Sequence, residues 1–159
     1  MHSDTDKKLL SPVLDRLLGG ENSGNTNQPH QILKQLRESV RRDLETLFNT
    51  RYRCISTPAN CTELETAVIN FGLPDISTIN LSAQEHRLKF CRDIEKTILA
   101  YEPRIKSVKV QSNHKIDPEN PCVKFRVEAI LHTNPAPELI IFDSALDLVT
   151  QSVDVSEIM

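Results

Sequence analysis

The segment CVKFRVEAILHT, residues 122–133, alternates apolar and polar residues along its length. Val123, Phe125, Val127, Ala129 and Leu131 fall on one side of an extended chain, and Lys124, Arg126, Glu128 and His132 on the other. Such a strand buries one face and wets the other, so the rest of the chain must supply an apolar layer to cover it. Weaker strand patterns flank it. RIKSVKVQS at 104–112 places Val108 and Val110 on one face, LIIFDSALDLV at 139–149 predicts a third strand, and Val153 and Val155 offer a fourth after a turn near Thr150–Gln151. DPENP at 117–121 and TNPAP at 133–137 are turns.

The covering layer precedes the strands. From Ile32 to about Thr50, Leu33, Leu36, Val40, Leu44, Leu47 and Phe48 recur at helical spacing, with Lys34, Arg37, Arg41, Asp43 and Glu45 mostly off that stripe. Arg41, Arg42, Arg51 and Arg53 read as a solvated face or, alternatively, as a basic patch. In TELETAVINFG, residues 62–72, a Thr62–Glu65 capping box, the apolar set Leu64, Ala67, Val68 and Phe71, and a stop at Gly72 predict a short helix. A second box, Ser82 and Glu85, opens a longer helix with the stripe Leu88, Cys91, Ile94, Ile98 and either Leu99 or Tyr101. Pro103 disfavours helical geometry at Glu102, so that helix ends near Tyr101. Helices first and an antiparallel meander afterwards is an α+β chain: N-terminal helices on one face of a small sheet formed by the C-terminal half, with exposed edges.

Ahead of this domain, taken as residues 31–159, residues 1–30 read as a short helix and a polar linker. LLSPVLDRLL at 9–18 lines up Leu10, Val13, Leu14, Leu17 and Leu18, with Ser11 as N-cap and Pro12 at the first helical position. GGENSGNTNQPHQ at 19–31 has linker composition. The stripe either folds back on its own domain or docks in a groove of another subunit, with Leu14, Leu17 and Leu18 as the candidate partner-binding residues.

Few chemistries fit this sequence. Aromatic residues make up 4%, Trp is absent and the net charge is −3, which leaves no stacking platform and no drive toward nucleic acid. Cys54, Cys61, Cys91 and Cys122 lack metal-ligand spacing and follow no leader sequence, so they read as reduced cytoplasmic thiols, Cys91 on the apolar side of its helix. No apolar run is long enough to span a membrane, which makes membrane approach a matter of partners. There is no phosphate loop, dinucleotide fingerprint, nucleophile elbow or zinc-protease motif, and no cofactor is implied. Glu102, Glu128, Asp143 and Asp147 are carboxylates without the environment that separates an acid from a nucleophile, and His86, His114 and His132 lack metal-like spacing.

The stretch YEPRIKSVKVQS at 101–112 stands apart, because Glu102 meets the negative end of a helix dipole. Pro103 stiffens the corner between Glu102 and Arg104. The two charges either pair with each other and their neighbours, or are offered to a partner.

Four stretches, SPVLDRLL at 11–18, SVRRDLETLFNTR at 39–51, NFGLPDIS at 70–77 and YEPRI at 101–105, together resemble the TssE family. These are type VI secretion baseplate subunits related to the small wedge protein of contractile phage tails and often labelled lysozyme-like. The resemblance implies a non-enzymatic structural subunit, cytoplasmic at a baseplate docked on the inner membrane. Its implied partners are TssF, TssG and TssK in the wedge and the sheath subunits TssB/TssC, the latter by strand pairing with the sheet edge. Glu102, Pro103 and Arg104 would then be the corner that engages the helical core bundle of the wedge. A wedge subunit of another contractile particle is the alternative, and a peptidoglycan hydrolase a remote one, since the sequence identifies no acid and nucleophile pair.

Overall fold

The structure is a computed structural model and describes residues 17, 29–52, 58, 60–75, 79, 81, 83–112, 122–133 and 136–158. Helix α1 spans Pro29–Asn49 and helix α2 Gln84–Tyr101, with two short 3-10 turns between them at Thr62–Thr66 and Val68–Asn70. Strands β1 (Ile105–Gln111), β2 (Cys122–Leu131), β3 (Glu138–Asp147) and β4 (Val153–Glu157) follow. They form one antiparallel sheet in the order β1-β2-β3-β4. This is the α+β arrangement that the order of periodicities implies.

Alternation decides which face is covered. Val123, Phe125, Val127, Ala129 and Leu131 of β2 are buried, as are Ile140, Phe142 and Leu146 of β3 and Val153 and Val155 of β4. Against them lie Leu36, Val40, Leu44, Leu47 and Phe48 of α1, with Phe90, Cys91, Ile94 and Ile98 of α2. Phe125 is the hinge of this core, edge-on to Phe48 at 5.7 Å and to Phe90 at 6.3 Å between ring centroids. In β1 the register slips between Ile105 and Ser107, and this bulge returns Ile105 to the same face as Val108 and Val110.

Several local expectations change. The 62–72 segment makes two 3-10 turns broken by an extended Ala67, with no side-chain cap, and Val68 is 87% exposed. Gly72 does not stop a helix. It sits at φ +119°, where a Cβ would lie 2.4 Å from the Thr50 carbonyl oxygen, and lets Leu73 bridge to Arg51 in parallel. In α2 the N-cap is Ala83, without a side-chain cap, and Ser82 lies outside the described residues. Leu88 and Leu99 face solvent, and Phe90 takes the core position. The third strand ends at Asp147, which accepts the Val149 and Thr150 N–H groups and so turns the chain two residues before the expected end.

The sheet edges are less open than the pattern suggests. Asn49 donates to the Val153 carbonyl and accepts its N–H, both at 2.8 Å, so one amide side chain stands in for a fifth strand beside β4. Arg41 covers the Val155 carbonyl at 3.1 Å. At the other edge, Glu95 of α2 accepts the Val110 N–H at 2.8 Å.

Candidate partner-binding site

Pro103 holds Glu102 at φ −117°, ψ 86°, and α2 ends there, the Glu102 N–H still reaching the Ile98 carbonyl at 2.8 Å. Its carboxylate turns inward and is 5% exposed. One oxygen accepts Arg104 Nε at 2.6 Å and the Arg104 backbone N–H at 3.2 Å, and the other accepts Nη2 at 2.5 Å. The same guanidinium reaches α1, donating to Ser39 Oγ at 3.1 Å and Asp43 Oδ2 at 2.5 Å. Of the two arrangements open to the corner, the charges therefore satisfy each other and tie the end of α2 to the middle of α1. The two carboxylates hold the guanidinium pKa above its ordinary value, Glu102 contributing most. Ser39 and Asp43, four residues apart on one face of α1, complete this corner, and the sequence reading did not single them out. Their i, i+4 spacing was the available signal.

Outside the clamp the corner opens on a groove of about 360 Å³. Leu44, Leu47, Phe71 and Tyr101 make its apolar part, and Asp43, Thr46 and Arg104 its polar part. Phe71 and Tyr101 meet edge-on at 5.3 Å, and the Tyr101 hydroxyl donates to the Ala67 carbonyl at 3.2 Å. Pro103 is exposed at the rim. Pro103, Asp43 and the outer edge of Arg104 thus face outward at this corner, while Glu102 lies beneath them.

The remaining candidates separate. Leu17 is helical and 77% exposed, and Leu14 and Leu18 lie outside the described residues. Arg41 pairs with Glu38 and Glu45, and Arg51 donates to the Phe48 and Gln151 carbonyls, so both serve the fold. Arg53 and His114 lie outside the described residues. Asp143 pairs with Arg126 at 2.9 Å on the outer sheet face, away from Glu102. Burial pushes the Cys91 thiol pKa up. Among the described residues no cluster of His, Cys, Asp or Glu could hold a metal ion, and no helix is long and apolar enough to cross a membrane.

Comparison with known proteins places this architecture. The family model of baseplate wedge protein gp25 matches residues 34–136, a span that runs from α1 through the corner to the end of β2. Among curated proteins, the anti-adapter protein IraD of Salmonella arizonae (strain ATCC BAA-731 / CDC346-86 / RSK2980) is 33% identical over 128 residues, covering 80% of this chain and 84% of that protein. Among solved structures, a chain from the baseplate complex of the type VI secretion system matches with a TM-score of 0.48 and 20% identity, over 70% of this chain and 94% of that one. With residues 34–136, more than half of the chain, matched by the family model, the chain belongs to the family of baseplate wedge protein gp25.

Proposed function

We propose that the chain is a non-catalytic wedge subunit in the baseplate of a contractile injection machine, held by its neighbours through the groove beside Glu102, Pro103 and Arg104. The observation that carries this reading is the family match, which includes the whole clamp from Ser39 to Arg104. The four motif stretches that resemble TssE favour the type VI secretion member of the family, at a baseplate docked on the inner membrane. TssF, TssG and TssK are then the wedge partners. The sheath subunits TssB/TssC would pair with a sheet edge, and β1 suits that role better than β4: its guard is one carboxylate, Glu95, whereas β4 is covered by Asn49 and Arg41.

The anti-adapter relative supports a second reading, in which the same groove grips an adapter protein. Both readings are of a binding protein, and capture separates them. Affinity purification of the full chain from its source cells, followed by mass spectrometry, should recover baseplate and sheath subunits. Recovery of an adapter protein without baseplate subunits contradicts the wedge assignment.

A further inference from the structure

Helix α2 closes the outer edge of β1 in steps. The Ser112 N–H lies against the Cys91 thiol, and the Val110 N–H meets the Glu95 carboxylate at 2.8 Å. Four helical residues rise about 6 Å and two strand residues about 6.7 Å, so four positions along α2 keep pace with two along β1. The next step sets Leu99 beside Val108. Val108 turns its backbone N–H and C=O to the same side as Val110, because these groups alternate along a strand. Leu99 carries no acceptor for them and is 48% exposed. Beyond Val108 the bulge between Ile105 and Ser107 ends the regular register. The gap is therefore local: one backbone pair, framed by an exposed aliphatic side chain, on a strand that ends the sheet order. At the other edge Asn49 takes both groups of Val153.

Charge says what fits the gap. Lys109 is exposed and stands opposite Glu128 of β2, and its other flank is the free edge. Lys106, the extra residue of the bulge, is exposed at the same edge, and Arg92 and Lys96 are exposed on the side of α2 that carries Leu99. A second copy of this chain is a poor occupant. Any antiparallel pairing of two β1 strands through Val108 and Val110 sets Lys109 directly opposite or diagonal to its own counterpart, and like charges so placed destabilise a sheet. An acidic residue in that place continues the alternation of sign that Glu128 and Lys109 begin.

We propose that the β1 edge at Val108 is the docking point for an extended acidic segment of a partner protein, with an apolar residue over Leu99 and a carboxylate opposite Lys109. The proposal deepens the strand-pairing reading of β1 and rests on it. Pairing starts at Val108 and extends to Val110 when the segment displaces Glu95 from its N–H, so Glu95 holds docking back.

The test is amide hydrogen exchange of the full chain, read at Val108 and Val110 by nuclear magnetic resonance. Peptides of about ten residues, alternating Val with Glu or Val with Lys, are added at millimolar concentration. The Val–Glu peptide should slow exchange at Val108, and the Val–Lys peptide should bind at least about fivefold more weakly. Leu99→Asp should abolish the response, and Glu95→Ala should lower the half-saturating peptide concentration about fivefold. Protection of Val108 that rises with protein concentration in the absence of peptide means that a second copy covers the edge, and it overturns the proposal. So do equal responses to the two peptides, a response unchanged in Leu99→Asp, or none at Val108. Capture of baseplate subunits from source cells decides the wedge reading separately: capture without a peptide response removes this docking point alone, and a peptide response without capture removes the wedge reading alone. Thermal melts of both variants confirm that each comparison is between folded chains.

Discussion

A carboxylate at the last turn of a helix faces the negative end of the dipole, and at Glu102 the compensation is a guanidinium two residues on. Because Glu102 is buried and Arg104 half-buried, removing one partner strands the other. Glu102→Ala should therefore lower unfolding free energy in urea by about 3 kcal/mol, the lower end of a buried-pair loss because Arg104 keeps Asp43 and some water. Ser144 makes the opposite case. Its hydroxyl is buried on the core face of β3 with no hydrogen-bond partner. Ser144→Ala should raise stability by about 1 kcal/mol, and an unchanged or lower value means that the hydroxyl is satisfied. At the surface, the Arg41 side chain holds the Glu38 carboxyl below its ordinary value, and the Val149 and Thr150 N–H groups do the same for Asp147. A carboxyl whose pKa is lower folded than unfolded contributes stability fully present above its unfolded value and lost as pH falls through the folded one. The melting temperature should thus hold steady from pH 7 to 5 and fall below about pH 4.5. Asp147→Asn, which keeps the accepting oxygen, should make that fall shallower.

At the scale of elements, α1 covers the core with its apolar stripe and closes the edge of β4 with polar residues beside that stripe. Asn49→Ala should cost about 1–2 kcal/mol and leave both Val153 backbone groups open to another strand. Light scattering should then show concentration-dependent self-association that the wild type lacks. The strands were legible in the sequence because one buried face forces a period of two, and α1 because its stripe runs unbroken from Leu36 to Phe48. In α2, Leu88 and Phe90 both fit the helical period, and only contact with Phe125, some 35 residues away in sequence, chooses between them. The 62–72 segment carries capping-box residues yet lies where no core receives Val68, so tertiary context overrides the local signal. The clamp was half visible: Glu102 looked misplaced, but its link to Ser39 and Asp43 spans some 60 positions and has no local signature beyond their i, i+4 spacing.

For the whole molecule, the family assignment and the corner geometry meet at one surface. Glu102 and Arg104 stiffen the junction of both helices with β1, and the groove beside them, with Thr46 and Pro103 exposed along it, is the surface proposed to receive a neighbour. Glu102→Ala would weaken assembly by loosening the fold, so it cannot isolate that contact. Thr46→Arg can, since Thr46 is exposed on α1 and lines the groove without joining the clamp. The decisive measurement is quantitative capture of baseplate subunits by tagged Thr46→Arg and wild-type chains from source cells, with thermal melts of both purified proteins. Capture reduced at least about tenfold, the loss of about 1.4 kcal/mol of binding, at an unchanged melting temperature is the predicted result. Undiminished capture by a folded Thr46→Arg chain would contradict the assignment of this groove as the surface by which the subunit is held.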